Sequence, residues 1–361
     1  MSTRQRSALA FVIALAIVTP GCARGSDAAD ATRPTIAFFQ DLSVEDPLDL
    51  VSPSFLALEA GLEQTAERGV DGVPILEQFD TGGDPDTALE LARTVAADDR
   101  YVAVVAAPFW TMPDDVATAF ADAGLPVLSL SDGPRPTAPG LVWRRFVAPA
   151  PALADELAAR ATASTEGSIC VVADASARAD GLATAVAQLV GDRAEMRSPD
   201  RTDGCDAVVW TGGTSGAVAM RADLPDGTPF IVGDAAKTAL YLDEALPGSD
   251  GTIAVCPCVE ATTATDLRAR RFVNGYQAAT GLAPGVFAAE GWDIATLLSE
   301  LAAHDVATPG DRAAYRAAIE TVTEVPGVGG PVDFDAQGEP LGTTATARTS
   351  VAAGRRWLPS R

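Results

Sequence analysis

Short apolar runs alternate with amphipathic stretches over most of the chain. The clearest unit spans residues 101–136. Its two apolar runs, Tyr101–Ala107 and Leu125–Leu130, are short and rich in β-branched residues, which predicts strands. Between them Val116, Phe120 and Ala123 share one helical face, and Gly124 is a stop signal. A strand, a helix and a strand of this length form a parallel βαβ crossover. Open parallel sheets take ligands beyond the carboxyl ends of their strands. Here those ends are 107–111 and 129–132.

The same alternation continues on both sides. Thr35–Phe39 and Val73–Phe79 read as strands. A helix starts with Ser52 as cap and Pro53 in its first turn, and shows Phe55, Leu58, Leu62 and Ala66 on one face. Asp84 and Pro85 open another, with Ala88, Leu91, Ala92 and Val95 aligned. Leu141–Val147 is a strand leaving this region. The pattern then restarts: helix 150–162, strand Ser168–Val172, a helix through Leu182, Val186 and Leu189, and strands near 195–197, 207–211 and 228–233. Helix 235–246 and strand Thr252–Cys256 follow. Past Cys258 come helices near 263–279 and along Phe287–Leu301, and a third opening at Asp311. The tract 329–339 reads as a strand and a tight turn, and 343–351 as a last strand. Two rounds of alternation predict an α/β protein of two doubly wound parallel-sheet lobes.

Composition narrows the function. The chain has 361 residues, 47% of them hydrophobic, enough for two globular domains. Its formal charge of −23 repels phosphate, so nucleic acid is not an expected partner. The apolar run Ala8–Val18 is too short to span a bilayer and follows Arg4 and Arg6, which predicts a secretory signal peptide over 1–21. Thr19-Pro20-Gly21-Cys22 resembles a bacterial lipobox with Cys22 as the lipidated residue. A lipid there anchors the protein to the outer face of the cell membrane. Residues 22–33 are small and polar, a flexible tether.

Cys170, Cys205, Cys256 and Cys258 remain for oxidising surroundings, with three possible disulfide connectivities. The positions of Cys170 in the first strand of the second lobe and Cys205 just before its third favour Cys170–Cys205, since those strands are neighbours in the usual doubly wound order. No histidine or further cysteine lies near the Cys256/Cys258 pair, so no metal is expected. No Gly-x-Ser-x-Gly elbow is present, and the one histidine, His304, sits far from any serine loop. An exported hydrolase is disfavoured, and no cofactor is expected.

The run Ala289-Glu290-Gly291-Trp292-Asp293 with Leu297-Leu298, the tract Gly330-Pro331-Val332-Asp333-Phe334-Asp335, the helix end Tyr276–Gly281, Asp84-Pro85 and Gly124-Leu125-Pro126 occur in an order that resembles the type I periplasmic binding proteins of the branched-chain amino acid receptor group. The resemblance covers most of 34–350. It implies lobe one from 34–147 and 262–331, and lobe two from 148–261 and 332–361. Hinge crossings fall near 147–150, 257–262 and 331–335, and a ligand is captured between closing lobes. It also implies a monomer that delivers its ligand to an ABC permease. A ligand sensor of the same fold, signalling to a membrane partner, is the alternative.

Carried onto this sequence, the family's contacts fall at Leu50, Trp110, Thr111, Ser129, Ser131 and Asp132 in lobe one, and at Arg178, Thr214, Ser215 and Asp234 in lobe two. Trp110 is expected to cover a flat or apolar part of the ligand. Thr111 doubles as a helix cap, and Asp234 as a cap of helix 235–246. Gly212–Gly216 resembles an anion-cradling turn. Arg178 stands where the family has a tyrosine, and its planar donor fork fits a carboxylate. The expected ligand is therefore a small amino-acid-like molecule or organic anion. A solvent-exposed Arg178 paired with Asp174 or Asp180 is the dull alternative.

Overall fold

The computed structural model describes residues 33–261, 266–304 and 311–360. The signal segment and Cys22 lie outside the described residues.

Two sheets organise the chain. The first contains β1 (Thr35–Gln40), β2 (Ile75–Asp80), β3 (Tyr101–Ala106), β4 (Val127–Ser129) and β5 (Trp143–Arg145), all parallel in the order β2-β1-β3-β4-β5. β1 and β3 are buried along their whole length, as central parallel strands covered on both faces must be. The second sheet holds β6 (Ile169–Val172), β7 (Ala194–Arg197), β8 (Ala207–Trp210), β9 (Phe230–Val232) and β10 (Ile253–Cys256), again parallel. β13 (Arg348–Ala353) and β14 (Arg356–Pro359) extend it antiparallel beyond β10, giving the order β14-β13-β10-β9-β8-β6-β7. The last strand thus begins later than 343, because Gly342–Ala345 forms a 3-10 turn. A small hairpin, β11 (Glu324–Gly327) and β12 (Gly330–Asp333), stands apart from both sheets.

Helices α1 (Pro47–Leu50), α2 (Ser52–Glu67), α3 (Pro85–Ala97) and α4 (Asp114–Asp122) cover the first sheet. Asp84 caps α3 by accepting the Thr87 N–H, with Pro85 at the first helical position. The cap of α2 differs from expectation. Ser52 is already helical, Val51 precedes it, and it is Ser54 Oγ that turns back to the Val51 carbonyl at 2.8 Å. Thr111 caps nothing either: α4 starts after Pro113 with no side-chain cap, and Thr111 is exposed.

The second sheet carries α5 (Ala150–Ser164), α6 (Ala177–Val190), α7 (Thr214–Asp223) and α8 (Ala239–Glu244). The expected helix 235–246 is split. Asp234–Ala236 makes a 3-10 turn, and the Thr238 hydroxyl takes the Tyr241 N–H to start α8 afresh. Asp234 is therefore not a cap of α8.

After β10 the chain returns to the first sheet through α9 (Leu267–Thr280), α10 (Ala288–Ala303) and α11 (Arg312–Thr321). α10 lies against α2 at very short range. A Cβ on Gly291 would sit 2.2 Å from the Ser54 carbonyl oxygen, so only a bare α-carbon fits there. The chain passes between the sheets after β5, after β10 and between β12 and β13. Each sheet has its own buried apolar layers on both faces.

Candidate functional site

The carboxyl ends of the two sheets face each other. From the first sheet come the loops after β1, β3 and β4; from the second, those after β6, β8 and β9. Charged groups of opposite lobes meet at this point.

Arg178, in the first turn of α6, reaches across the gap. Its Nη2 donates to Asp132 Oδ2 of the opposite lobe at 2.8 Å, and to Asp234 Oδ1 and Oδ2 at 3.0 and 2.8 Å. Its guanidinium carbon lies 4.8 Å from the centre of the Phe109 ring, a cation–π contact. Asp132 and Asp234 are both buried. Burial works to lower the Arg178 pKa, but the two carboxylates outweigh it and hold the guanidinium protonated. Burial also pushes the Asp234 carboxyl up, against the pull of Arg178. The surface pairing of Arg178 with Asp174 or Asp180 is not what forms.

Two more carboxylates cross from lobe one. Glu45 Oε1 accepts the Ser215 N–H at 2.8 Å, at the start of α7, and Asp49 Oδ2 accepts the Leu240 N–H at 3.4 Å. From lobe two itself, Asp174 accepts the Gly213 N–H at 2.8 Å. Negative charge at a helix N-terminus is favourable. The Gly212–Gly216 turn does cradle an anion, and that anion is the protein's own Glu45 and Asp174.

The other expected contacts divide. Ser129 and Ser131 are buried beside the cluster, but their hydroxyls serve the loop: the Ser131 N–H donates to Ser129 Oγ at 3.1 Å and the Gly133 N–H to Ser131 Oγ at 3.2 Å. Thr214 is buried against Thr238, 3.0 Å between hydroxyls. Ser215 is exposed and offers its backbone N–H. Two of the expected contacts pack into the apolar core of the first lobe. Leu50 lies in the core of the first lobe at 2% exposure, because α1 turns its apolar side inward. Trp110 is core as well, stacked on Phe39 with ring centres 5.4 Å apart. Its neighbour Phe109 is the aromatic that faces the cluster, packing edge-on against Phe287. Phe109 has a φ of 64°, left-handed and uncommon for an aromatic, and this turn decides which of the two rings faces the cleft.

A second group of buried carboxylates sits where the chain crosses between lobes. On α10, Glu290 Oε1 accepts the Val259 N–H at 2.6 Å, while Glu290 Oε2 is buried with no hydrogen-bond partner among the described residues. Asp293 Oδ1 accepts the Val328 N–H at 2.7 Å. Burial pushes the Glu290 carboxyl up to about 7, and pushes Asp293 well above the carboxylate range, with the charge of Glu290 adding to it. Because Glu290 keeps its proton longer in the folded chain, its stabilising contribution is complete below the ordinary 4.5 and is lost as pH rises through about 7. Glu290→Gln keeps the acceptor for Val259 without the charge. It is expected to raise stability at pH 8 by about 1–3 kcal/mol and to do less at pH 5. Denaturant unfolding at the two pH values checks this, and an equal change at both would contradict it.

The disulfides close within lobe two and beside its hinge. Cys170 and Cys205 are bonded with Cα atoms 5.7 Å apart, and Cys256 and Cys258 are bonded with Cα atoms 5.1 Å apart.

This architecture has known counterparts. Residues 35–192 match the family model described as periplasmic binding protein. A leucine binding protein, LivK, from Thermotoga maritima superposes with a TM-score of 0.72 at 15% identity, covering 91% of this chain and 98% of that one. An ABC transporter substrate-binding protein from Desulfitobacterium hafniense, in complex with leucine, gives 0.70 at 19% identity, covering 91% of this chain and all (100%) of that one. A solute binding protein from R. palustris, in complex with benzoate, gives 0.68 at 18% identity, covering 91% and 95%. No curated protein sequence matches the chain. The chain therefore has the periplasmic binding protein type I fold, and its residues 35–192 carry the pattern of the periplasmic binding protein family.

Proposed function

We propose that this chain is the extracytoplasmic solute-binding lipoprotein of an ABC importer, and that it captures a small amino-acid-like ligand between its lobes. The observation that carries this reading is the Asp132–Arg178–Asp234 cluster at the carboxyl ends of both sheets. The cluster joins one lobe to the other mainly through charge, so a charged solute competes directly with this contact. It combines two carboxylates with one guanidinium. An ammonium group replaces Nη2 between Asp132 and Asp234, and the displaced Arg178 meets the solute's carboxylate. An organic anion without an ammonium has only the Arg178 fork to use, against a net negative surround. A zwitterion therefore fits better than a simple anion. Differential affinity for the closed arrangement shifts the lobes towards it.

Titration calorimetry of the full chain against amino acids and simple carboxylates tests the reading. At least one amino acid is expected to bind, and Arg178→Ala is expected to weaken it by about 2–5 kcal/mol. Unchanged affinity in that variant would remove Arg178 from the site. Anchoring is tested separately by labelling cells with a palmitate analogue. Cys22→Ala is expected to lose both the label and membrane retention; if it keeps both, the lipoprotein reading is wrong.

A further inference from the structure

A cavity opens between the lobes, away from the Arg178 cluster. Its volume is about 640 Å³, within the usual range for small-molecule sites. Both lobes line it. Tyr276 on α9 and Leu48 on α1 face it from lobe one, and Lys237 and the β13–β14 hairpin with Trp357 from lobe two. None of the residues of the Asp132–Arg178–Asp234 cluster belongs to its lining.

Three features set this cavity apart from ordinary surface. First, exposed leucines converge on it: Leu48 is 77% exposed, Leu282 56% and Leu358 40%, and all three line it. Exposed large apolar side chains gathered at one concavity mark a binding surface, whereas scattered ones do not. Second, the rim is basic in a chain whose net charge is −23. Arg355 and Arg356 stand at the hairpin tip, and Lys237 lies in the wall. Third, the charges are unequally satisfied. Lys237 pairs with Glu260 at 3.1 Å and Arg355 with Asp243 at 3.2 Å, and Asp49 in the wall accepts the Leu240 N–H. Arg356 has no ion pair among the described residues. An apolar enclosure with one unspent cation on its rim selects an amphipathic anion.

We propose that this cavity is a binding site for an amphipathic organic carboxylate, with Arg356 holding the carboxylate and Leu48, Tyr276 and Leu358 enclosing the apolar body. The proposal does not rest on the Arg178 reading, since the two sites share none of these residues. Because the walls come from both lobes, occupancy favours the arrangement in which they are close.

The probe is 4-phenylbutyrate, with its neutral amide as the control. Trp357 lines the cavity and reports through its fluorescence. Titrating the full chain is expected to give a saturable change that Trp357→Phe abolishes. The amide, Arg356→Glu and Leu48→Glu are each expected to bind roughly ten-fold more weakly. Arg356 and Leu48 are exposed, so neither substitution threatens folding. A saturable change that survives both substitutions places the probe elsewhere and overturns the proposal, as does the lack of any saturable change in the unaltered chain.

Discussion

Replacing Arg178 with methionine is expected to part the two lobes and to cost about 2–4 kcal/mol of interlobe stability. The reason is what remains behind. Asp234 is 1% exposed and Asp132 7%, and both point their carboxylates at the same nitrogen. Without the guanidinium, two like charges face each other with little water to screen them. Breaking a buried pair by removing one partner costs about 3–5 kcal/mol. Arg178 keeps about a quarter of its side chain exposed, so water enters and screening lowers that cost to about 2–4 kcal/mol. Relief comes most easily by opening the cleft, because each lobe retains its own apolar layers. Small-angle scattering should show a larger radius of gyration for Arg178→Met, and Asp132→Asn combined with Arg178→Met should recover part of the loss. A radius and melting temperature equal to those of the unaltered protein would show that the cluster does not hold the lobes.

Reducing the Cys170–Cys205 bond is expected to cost lobe two about 4 kcal/mol by loop-closure entropy, with 2–5 kcal/mol the usual span. The bond joins residues 35 apart, so the unfolded chain gains considerable freedom when it opens. It also ties the buried strand β6 to the loop that leads into its neighbour β8. The Cys256–Cys258 bond closes a loop around one residue, Pro257, and restrains the unfolded chain far less. The effect of a reductant should therefore be reproduced by Cys170→Ala with Cys205→Ala, and hardly by Cys258→Ala. Hydrogen exchange should locate the loss in β6–β8 while β1 and β3 stay protected. Denaturation midpoints that agree with and without reductant would contradict this.

The two predictions differ in how far the sequence anticipated them. The cysteine pairing followed from the usual strand order of a doubly wound sheet, in which the strands next to Cys170 and Cys205 are neighbours. The cleft position of Arg178 was also legible, from its place just after the first strand of lobe two. Its partners were not. Asp132 is 46 residues away and Asp234 56, and no local pattern couples them. The near partners Asp174 and Asp180 looked equally suitable, but Asp174 is occupied by the Ser176 and Gly213 N–H groups. Glu45 gave no signal at all, since an acidic loop residue reads as solvated until a helix N-terminus is brought to it.

What the sequence determined by itself is therefore most of the strands and helices of the two sheets and their α/β class of two parallel-sheet lobes, but not the strands 324–327 and 356–359 or the break in helix 235–246. Periodicity of apolar residues is a local property, and burial on one or both faces follows from it. Even the close contact of α2 with α10 is written in a local feature, the glycine at 291. The tertiary structure alone decided which aromatic faces the cleft, through the left-handed turn at Phe109, and which charges meet there. Those groups sit at the ends of different strands in different lobes. Only the approach of one lobe to the other places Arg178 between Asp132 and Asp234, and puts Glu45 on the Ser215 N–H at the start of α7.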